Sequence, residues 1–354
     1  MCTAYALHSR ALRRSANAPY TAAQMAHQEL DRLVESAAPD EVVLAAWETG
    51  DVDVVRAWLD NGGAAQLEDR IFITAKHGDR NIAFGTLLTI ACESDHPSPI
   101  AEMLLDAGAD YDIHHLSHAI NSGNIYAIRA LVPRVDVVQH YGFGDTWTPL
   151  HNACTGYYME DHSQIALPNQ AEIVHTLLEA GALVNGRTRR HPILRDRPIG
   201  QTPLMLAAKQ GFTRLGVVKW LLHYGADISA VDSLGRTALF QANELLQHSQ
   251  IWTDPNRRAV AWEDSQEGRQ YIPCRAPGVV EDMIALLQGV EAAGSWKRYL
   301  REPRRDLLTF RRLVERGRAA PPDGVLARLF PESGGLPDVL FWKVLSFWRS
   351  PRDA

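Results

Sequence analysis

The sequence predicts an all-α fold: a solenoid of about six helix pairs with β-turn fingers, plus an α-helical C-terminal extension. Three observations carry this. A small-residue apolar segment, a glycine and a second apolar segment recur in that order along the chain. Their first core positions align at Val43, Leu88, Leu116, Leu150, Leu204 and Leu239, separated by 45, 28, 34, 54 and 35 residues. Finally, 46% hydrophobic and 22% charged residues in a chain of 354 are the proportions of a chain that fills a core.

Taken in order, residues 1–39 are expected to form a disordered start and a capping helix. No acidic residue precedes Glu29, while Arg10, Arg13 and Arg14 sit among Ala and Ser. Organelle transit segments share that composition with disordered leaders. The leader is the reading adopted, in a cytoplasmic or nuclear protein. "TAAQMAHQELDRLVESAA" then reads as a helix capped by Thr21, with Met25, Leu30, Leu33 and Val34 at helical spacing. It would seal the open end of the stack.

Residues 40–290 form the repeat domain. "TPLMLAAKQGFTRLGVVKWLLHYGAD" (202–227) is its fullest copy. Thr can cap the first helix, and Pro at the first helical position needs no N–H partner. Ala207, Ala208, Ala119 and Ala153 let first helices approach one another. Gly211, Gly123 and Gly50 permit the reversal into the second helix. Leu221, Leu222, Leu177, Leu178, Leu104 and Leu105 supply a ridge that one unit cannot bury alone. Insertions are expected at 69–85, 157–170, 186–199 and 249–278; loops of such length are usually functional or disordered.

A unit of about 33 residues is the ankyrin period. "TPLHNA", "GQTPLMLAA" and "LLHYGADISAVDSLGRTAL" resemble ankyrin repeats over about residues 40–290. The resemblance implies a partner held along finger tips and first-helix surfaces. Carried over by position, these are Trp147, Gln201 and Arg236 on the fingers and Ser122, Lys209, Gln210 and Glu244 on the helices. Trp147 stands out because Trp is enriched in binding hot spots, although packing on the next finger suits it equally. His151 occupies the place of the family's usual structural His.

The finger before the fullest copy carries Arg187, Arg189, Arg190, Arg195 and Arg197 against Asp196 alone. Such a tip suits an acidic peptide, a phosphate group or nucleic acid, or it is simply a solvated loop. A nucleic-acid or phosphoinositide role through this finger and the basic helix below is one alternative reading, though the overall charge of −6 makes nucleic acid the weaker fit.

Residues 291–354 form the extension. "EPRRDLLTFRRLVERGRAAPP" is bracketed as a helix by Pro303 in its first turn and Gly317 beyond its last. Leu307, Leu308, Phe310, Leu313 and Val314 would face the stack, and the arginines water. The stretch 296–318 carries nine Lys/Arg against Glu302, Asp306 and Glu315. "LPDVLFWKVLSFWRSPRD" places Leu340, Phe341, Val344, Leu345, Phe347 and Trp348 on one broad apolar stripe. It resembles the opening third of an F-box, and 307–345 resembles a SOCS box without its Cys. Those resemblances imply docking to a cullin-type ubiquitin ligase; packing on the end of the stack and insertion at a membrane surface are the other readings.

Catalysis is not expected. His114 and His118 in "HHLSH" are four apart but lack a third ligand, so no metal is assigned. "HYGFGDTW" lacks the Lys of a phosphate loop and reads as a turn. No nucleophile set is recognisable, so no cofactor is expected. Four scattered cysteines, Cys2, Cys92, Cys154 and Cys274, point to a reducing compartment. No apolar run reaches the roughly 20 residues of a membrane span. The overall reading is a monomeric protein-binding module or scaffold, the alternative a ubiquitin-ligase substrate receptor.

Overall fold

The structure is a computed structural model. It describes residues 32–35, 38–69, 71–75, 81–94, 96, 98–141, 146–155, 157–158, 164–165, 169–190, 198–209, 215–253, 277–320 and 340. The chain divides into two compact units, Met1–Ile284 and Ala285–Ala354.

In the first unit, helices alternate as two rows. The first-helix row comprises α1 (Asp40–Leu44, continued by a π-helical turn Ala45–Thr49), α3 (Leu87–Glu93), α5 (Ile113–Ser122), α7 (Pro149–Thr155), α9 (Pro203–Lys209) and α11 (Ala238–Thr253). The second comprises α2 (Val52–Asp60), α4 (Ile100–Asp106), α6 (Ile125–Leu131), α8 (Gln170–Glu179) and α10 (Leu215–His223); α12 (Pro277–Ala293) runs from the first unit into the second. Each first helix packs on the next first helix, and α2, α4, α6, α8 and α10 pack likewise in series. Within a repeat the two helices pack on each other, as α5 does on α6 and α7 on α8.

The aligned core positions explain why. Val43, Leu88, Leu116, Leu150 and Leu204 are all buried, and Leu239 is half-buried. Ala119, Ala153, Ala207 and Ala208 are buried in the first-helix row. Leu104, Leu105, Leu177, Leu178, Leu221 and Leu222 form the buried ridge. Gly50 and Gly123 end first helices at φ +65 and +77, the left-handed region that glycine enters without steric cost.

Local capping is consistent with the sequence. Thr86 Oγ1 accepts from the Thr89 N–H at the start of α3, and Asp112 closes a capping box with His115 at the start of α5. Asp51 and Asn124 cap α2 and α6.

Three expectations need correction. First, Arg32–Glu35 is a strand, β1, and not the end of a capping helix. It pairs antiparallel with β2 (Ile71–Ala75), which pairs with β3 (Asn81–Gly85). β2 is rich in β-branched and aromatic residues, and its open edge outcompetes the helical spacing read upstream; residues 1–31 lie outside those described. The 69–85 insertion therefore carries a hairpin. Second, α11 continues to Thr253, so the expected 249–278 insertion begins inside a helix. A two-residue ladder of β4 (Tyr157–Tyr158) and β5 (Gln164–Ile165) occupies the 157–170 insertion.

The third correction lies in the second unit. Here α13 spans Trp296–Glu315, so the helix starts two turns before Pro303, which is interior. Ser295 sets this start, its Oγ accepting from the Arg298 N–H at 3.3 Å. Tyr299 then seats its ring on Gly289, where an added Cβ would come within 2.5 Å of it. Trp296 stacks on Tyr299 with ring centroids 5.7 Å apart. These contacts anchor the first turns before the missing proline N–H interrupts the ladder. Gly317 does terminate the helix, at φ +63. Val314 is buried and Leu307, Leu308, Phe310 and Leu313 half-buried, but Arg311 is buried too and does not face water.

Candidate functional site: a hydrogen-bonded row of fingers

Backbone pairing joins the fingers into one row. Tyr141 and Trp147 exchange hydrogen bonds at 2.8 and 3.4 Å. Next to them the Arg189 N–H donates to Thr146 O at 3.0 Å. The Thr188 N–H donates to Gln201 O at 3.0 Å, and the Gly200 N–H to Thr188 O at 2.9 Å. The Ser233 N–H then donates to Ile199 O at 2.9 Å, and Ser233 Oγ accepts from the Ile199 N–H. Three consecutive fingers thus share an edge-to-edge ladder.

Two side chains hold this row. Asp232 is buried and closes its own finger: Oδ1 accepts from the Leu234 and Arg236 N–H groups, and Oδ2 from the Arg236 guanidinium at 3.0 and 2.9 Å. Burial alone would raise this carboxyl, but the bonds from Arg236 and Leu234 together outweigh it and hold it below the usual carboxylate range. Arg187 works across fingers, its guanidinium donating to Gly200 O at 3.0 Å and Val231 O at 2.8 Å.

His151 ties helix to finger. The Thr148 N–H donates to Nδ1 at 3.1 Å and the Thr148 hydroxyl lies 2.7 Å from the same nitrogen. Nδ1 must therefore accept, leaving Nε2–H to donate to Gly186 O at 3.1 Å in the next repeat. Burial lowers its pKa to about 4, against the raising effect of its backbone partners. His115 makes the same helix-start contact one repeat earlier, Nδ1 accepting from the Asp112 N–H, but its Nε2 lies 3.3 Å from Thr89 Oγ1 in the preceding repeat. Burial lowers its pKa as well, opposed by Asp112.

Several predicted contact residues serve the stack. Ser122 donates its hydroxyl to Cys92 O at 2.6 Å, tying α5 to α3. Gln201 is buried between fingers, and its Nε2 has no acceptor among the described residues. Arg236 is taken up by Asp232, with Glu244 3.8 Å away. Trp147 is half-buried at a finger base. Lys209, Arg189 and Arg190 are exposed, and Glu244 is partly so. Gln210, Arg195 and Arg197 lie outside the described residues.

At the C-terminus Leu340 is 48% exposed, while Phe341, Val344, Leu345, Phe347 and Trp348 are not described. His118 pairs with Glu93 at 2.6 Å and His114 meets the Tyr141 ring edge-on, so the two histidines do not converge. Among the described residues no helix is long and apolar enough to cross a membrane.

Sequence reasoning missed Asp232, His115 and three exposed apolar residues on α11 and the finger before it: Val231, Leu234 and Phe240, at 44, 64 and 51%. The signal existed. In "VDSLGRT" an Asp precedes N–H groups two and four residues on, the pattern of an Asx turn. A leucine between Ser and Gly in such a turn has no core to enter.

Residues 162–251 match the family model of ankyrin repeats, in three copies. The chain is also 36% identical over 104 residues to human ankyrin repeat and SOCS box protein 6. That match covers 29% of this chain and 22% of the relative, so the chain spans about a fifth of the relative's length.

Proposed function

This chain carries ankyrin repeats, and from that premise we propose that it binds another protein along its finger row, without catalysis of its own. One observation carries the reading. The fingers are pre-organised by backbone pairing and by Arg187 and Asp232, yet they expose Arg189, Arg190 and Leu234 to solvent. A rigid row loses little conformational freedom on binding, which leaves more of the contact energy as affinity. Cytoplasm or nucleus is the compartment proposed. Affinity purification from native extract, with the full chain and with Arg189→Ala/Arg190→Ala/Leu234→Ser, tests it. A specific partner should be recovered by the first and depleted at least tenfold by the second; equal recovery by both would place binding elsewhere.

A second reading, a substrate receptor of a cullin-type ubiquitin ligase, is supported by the SOCS box in the human relative's name and by the Leu-rich tail. Its test is co-purification of a cullin complex that survives the finger substitutions but is lost on Leu340→Asp with Phe347→Asp. A cullin complex indifferent to the tail rejects it.

A further inference from the structure

The finger row also constrains the chemistry of the partner, an inference that rests on the protein-binding reading above. Arg189 and Arg190 are exposed on one strand of the row, directly after Thr188. Among the described residues no carboxylate pairs with either. Thr188 pairs with the strand containing Gly200 and Gln201, and Ile199 of that strand pairs with Ser233. Val231 and Leu234 flank this second pairing and are exposed at 44 and 64%. The two arginines and the two aliphatic residues thus lie about two strand spacings apart, roughly 10 Å. An extended chain covers that in about three residues.

Arg187, just before Thr188, ties the row together, one guanidinium nitrogen donating to Gly200 O on the middle strand and to Val231 O on the next finger. Two described carboxylates in the neighbouring finger region are engaged by their own local donors. Asp232 is neutralised inside its finger by Arg236, and Asp227 turns back to accept from the Ser229 N–H and hydroxyl.

We infer that the partner presents an extended acidic segment with an aliphatic or aromatic residue about three positions from its carboxylates. Carboxylates meet Arg189 and Arg190 in charge-assisted hydrogen bonds. The apolar residue covers Val231 and Leu234, removing from water the part of their surface that no described residue covers. Nucleic acid fits the same place less well. Phosphates would engage the arginines, but aliphatic finger residues gain nothing from a sugar–phosphate chain and offer no stacking face to a base.

Panning a random dodecapeptide display library on the full-length chain tests this. Enriched peptides should combine Asp or Glu with Leu, Ile or Phe about three residues away. On Arg189→Glu/Arg190→Glu the charge preference should invert to Lys and Arg, which also shows that the variant is folded. On Val231→Ser/Leu234→Ser the acidic preference should persist while the apolar one disappears, with a winning peptide binding at least tenfold more weakly. Enriched peptides indifferent to both substitutions overturn this inference and leave the protein-binding reading standing. No enrichment by a chain with intact helical circular dichroism overturns both. A single-stranded oligonucleotide binding the row more tightly than any enriched peptide replaces the acidic segment with nucleic acid.

Discussion

His151 is fully buried and neutral, and its two nitrogens join a helix start to the following finger. Its folded pKa of about 4 lies below the ordinary 6.5. Between those values the unfolded chain binds the proton and the folded chain does not, so stability falls as pH drops from 6.5 towards 4. The full effect approaches about 3 kcal/mol, and above 6.5 the contribution is constant. His115 titrates in the same sense. Denaturant melts at pH 7, 5.5 and 4.5 should therefore show progressive loss. In His151→Asn the slope should shrink without vanishing; an unchanged slope would rule out His151 as its source. Asp232 acts in a lower window. Its carboxyl is held below the usual range, so its contribution is present above about pH 4 and is lost as pH falls through the lowered value. Asp232→Ala removes the acceptor for two N–H groups and the Arg236 guanidinium, and about 2–4 kcal/mol of stability is expected to go with it at pH 7.

At the scale of elements, the fingers show which parts of the fold are legible from sequence. The helix pairs were readable because Val43, Leu88, Leu116, Leu150 and Leu204 recur within a fixed unit and their burial depends only on neighbouring units. Gly50 and Gly123 were readable because a left-handed residue has a chemical signature. Finger contacts were not. Whether Gln201 or Ser122 faces a partner or the stack depends on bonds to residues 13 or 30 positions away, which no local pattern records. β1 failed for the same reason: its partner strand lies about 40 residues downstream. Pro303 misled because a proline usually marks a first turn, whereas Ser295 and the Tyr299 ring on Gly289 start α13 earlier. The interior proline leaves a gap in the helical ladder, so Pro303→Ala should strengthen α13 by about 1–3 kcal/mol. Slower amide exchange in Trp296–Glu315 would show it; unchanged exchange would mean that the gap costs nothing there.

At the scale of the repeat stack, stability is a sum of units and their interfaces, because among the described residues the main helix–helix contacts lie within a repeat or between adjacent repeats. A core deletion should thus be felt locally. Leu150 is fully buried in α7, midway along the first-helix row, and Leu150→Ala removes three methylene-sized groups at a cost of about 2–5 kcal/mol. In a single shared core that loss would lower protection everywhere alike. In a stack it should be graded: strongest in α7 and α8, weaker in α5 and α9, and least in α1 and α2. Native-state hydrogen exchange with fragment resolution reads the gradient directly. It also bears on binding, since the finger row is anchored to these helices through His151 and Gly186. If the stack is nearest-neighbour coupled, Leu150→Ala should loosen the Thr146–Arg189 and Thr188–Gln201 pairings before it unfolds the molecule. Partner affinity would then fall while the circular dichroism of the folded state is unchanged. Uniform loss of protection from α1 to α11 would mean that the repeats share one cooperative core, and the finger row would then hold its shape until the whole unit melts.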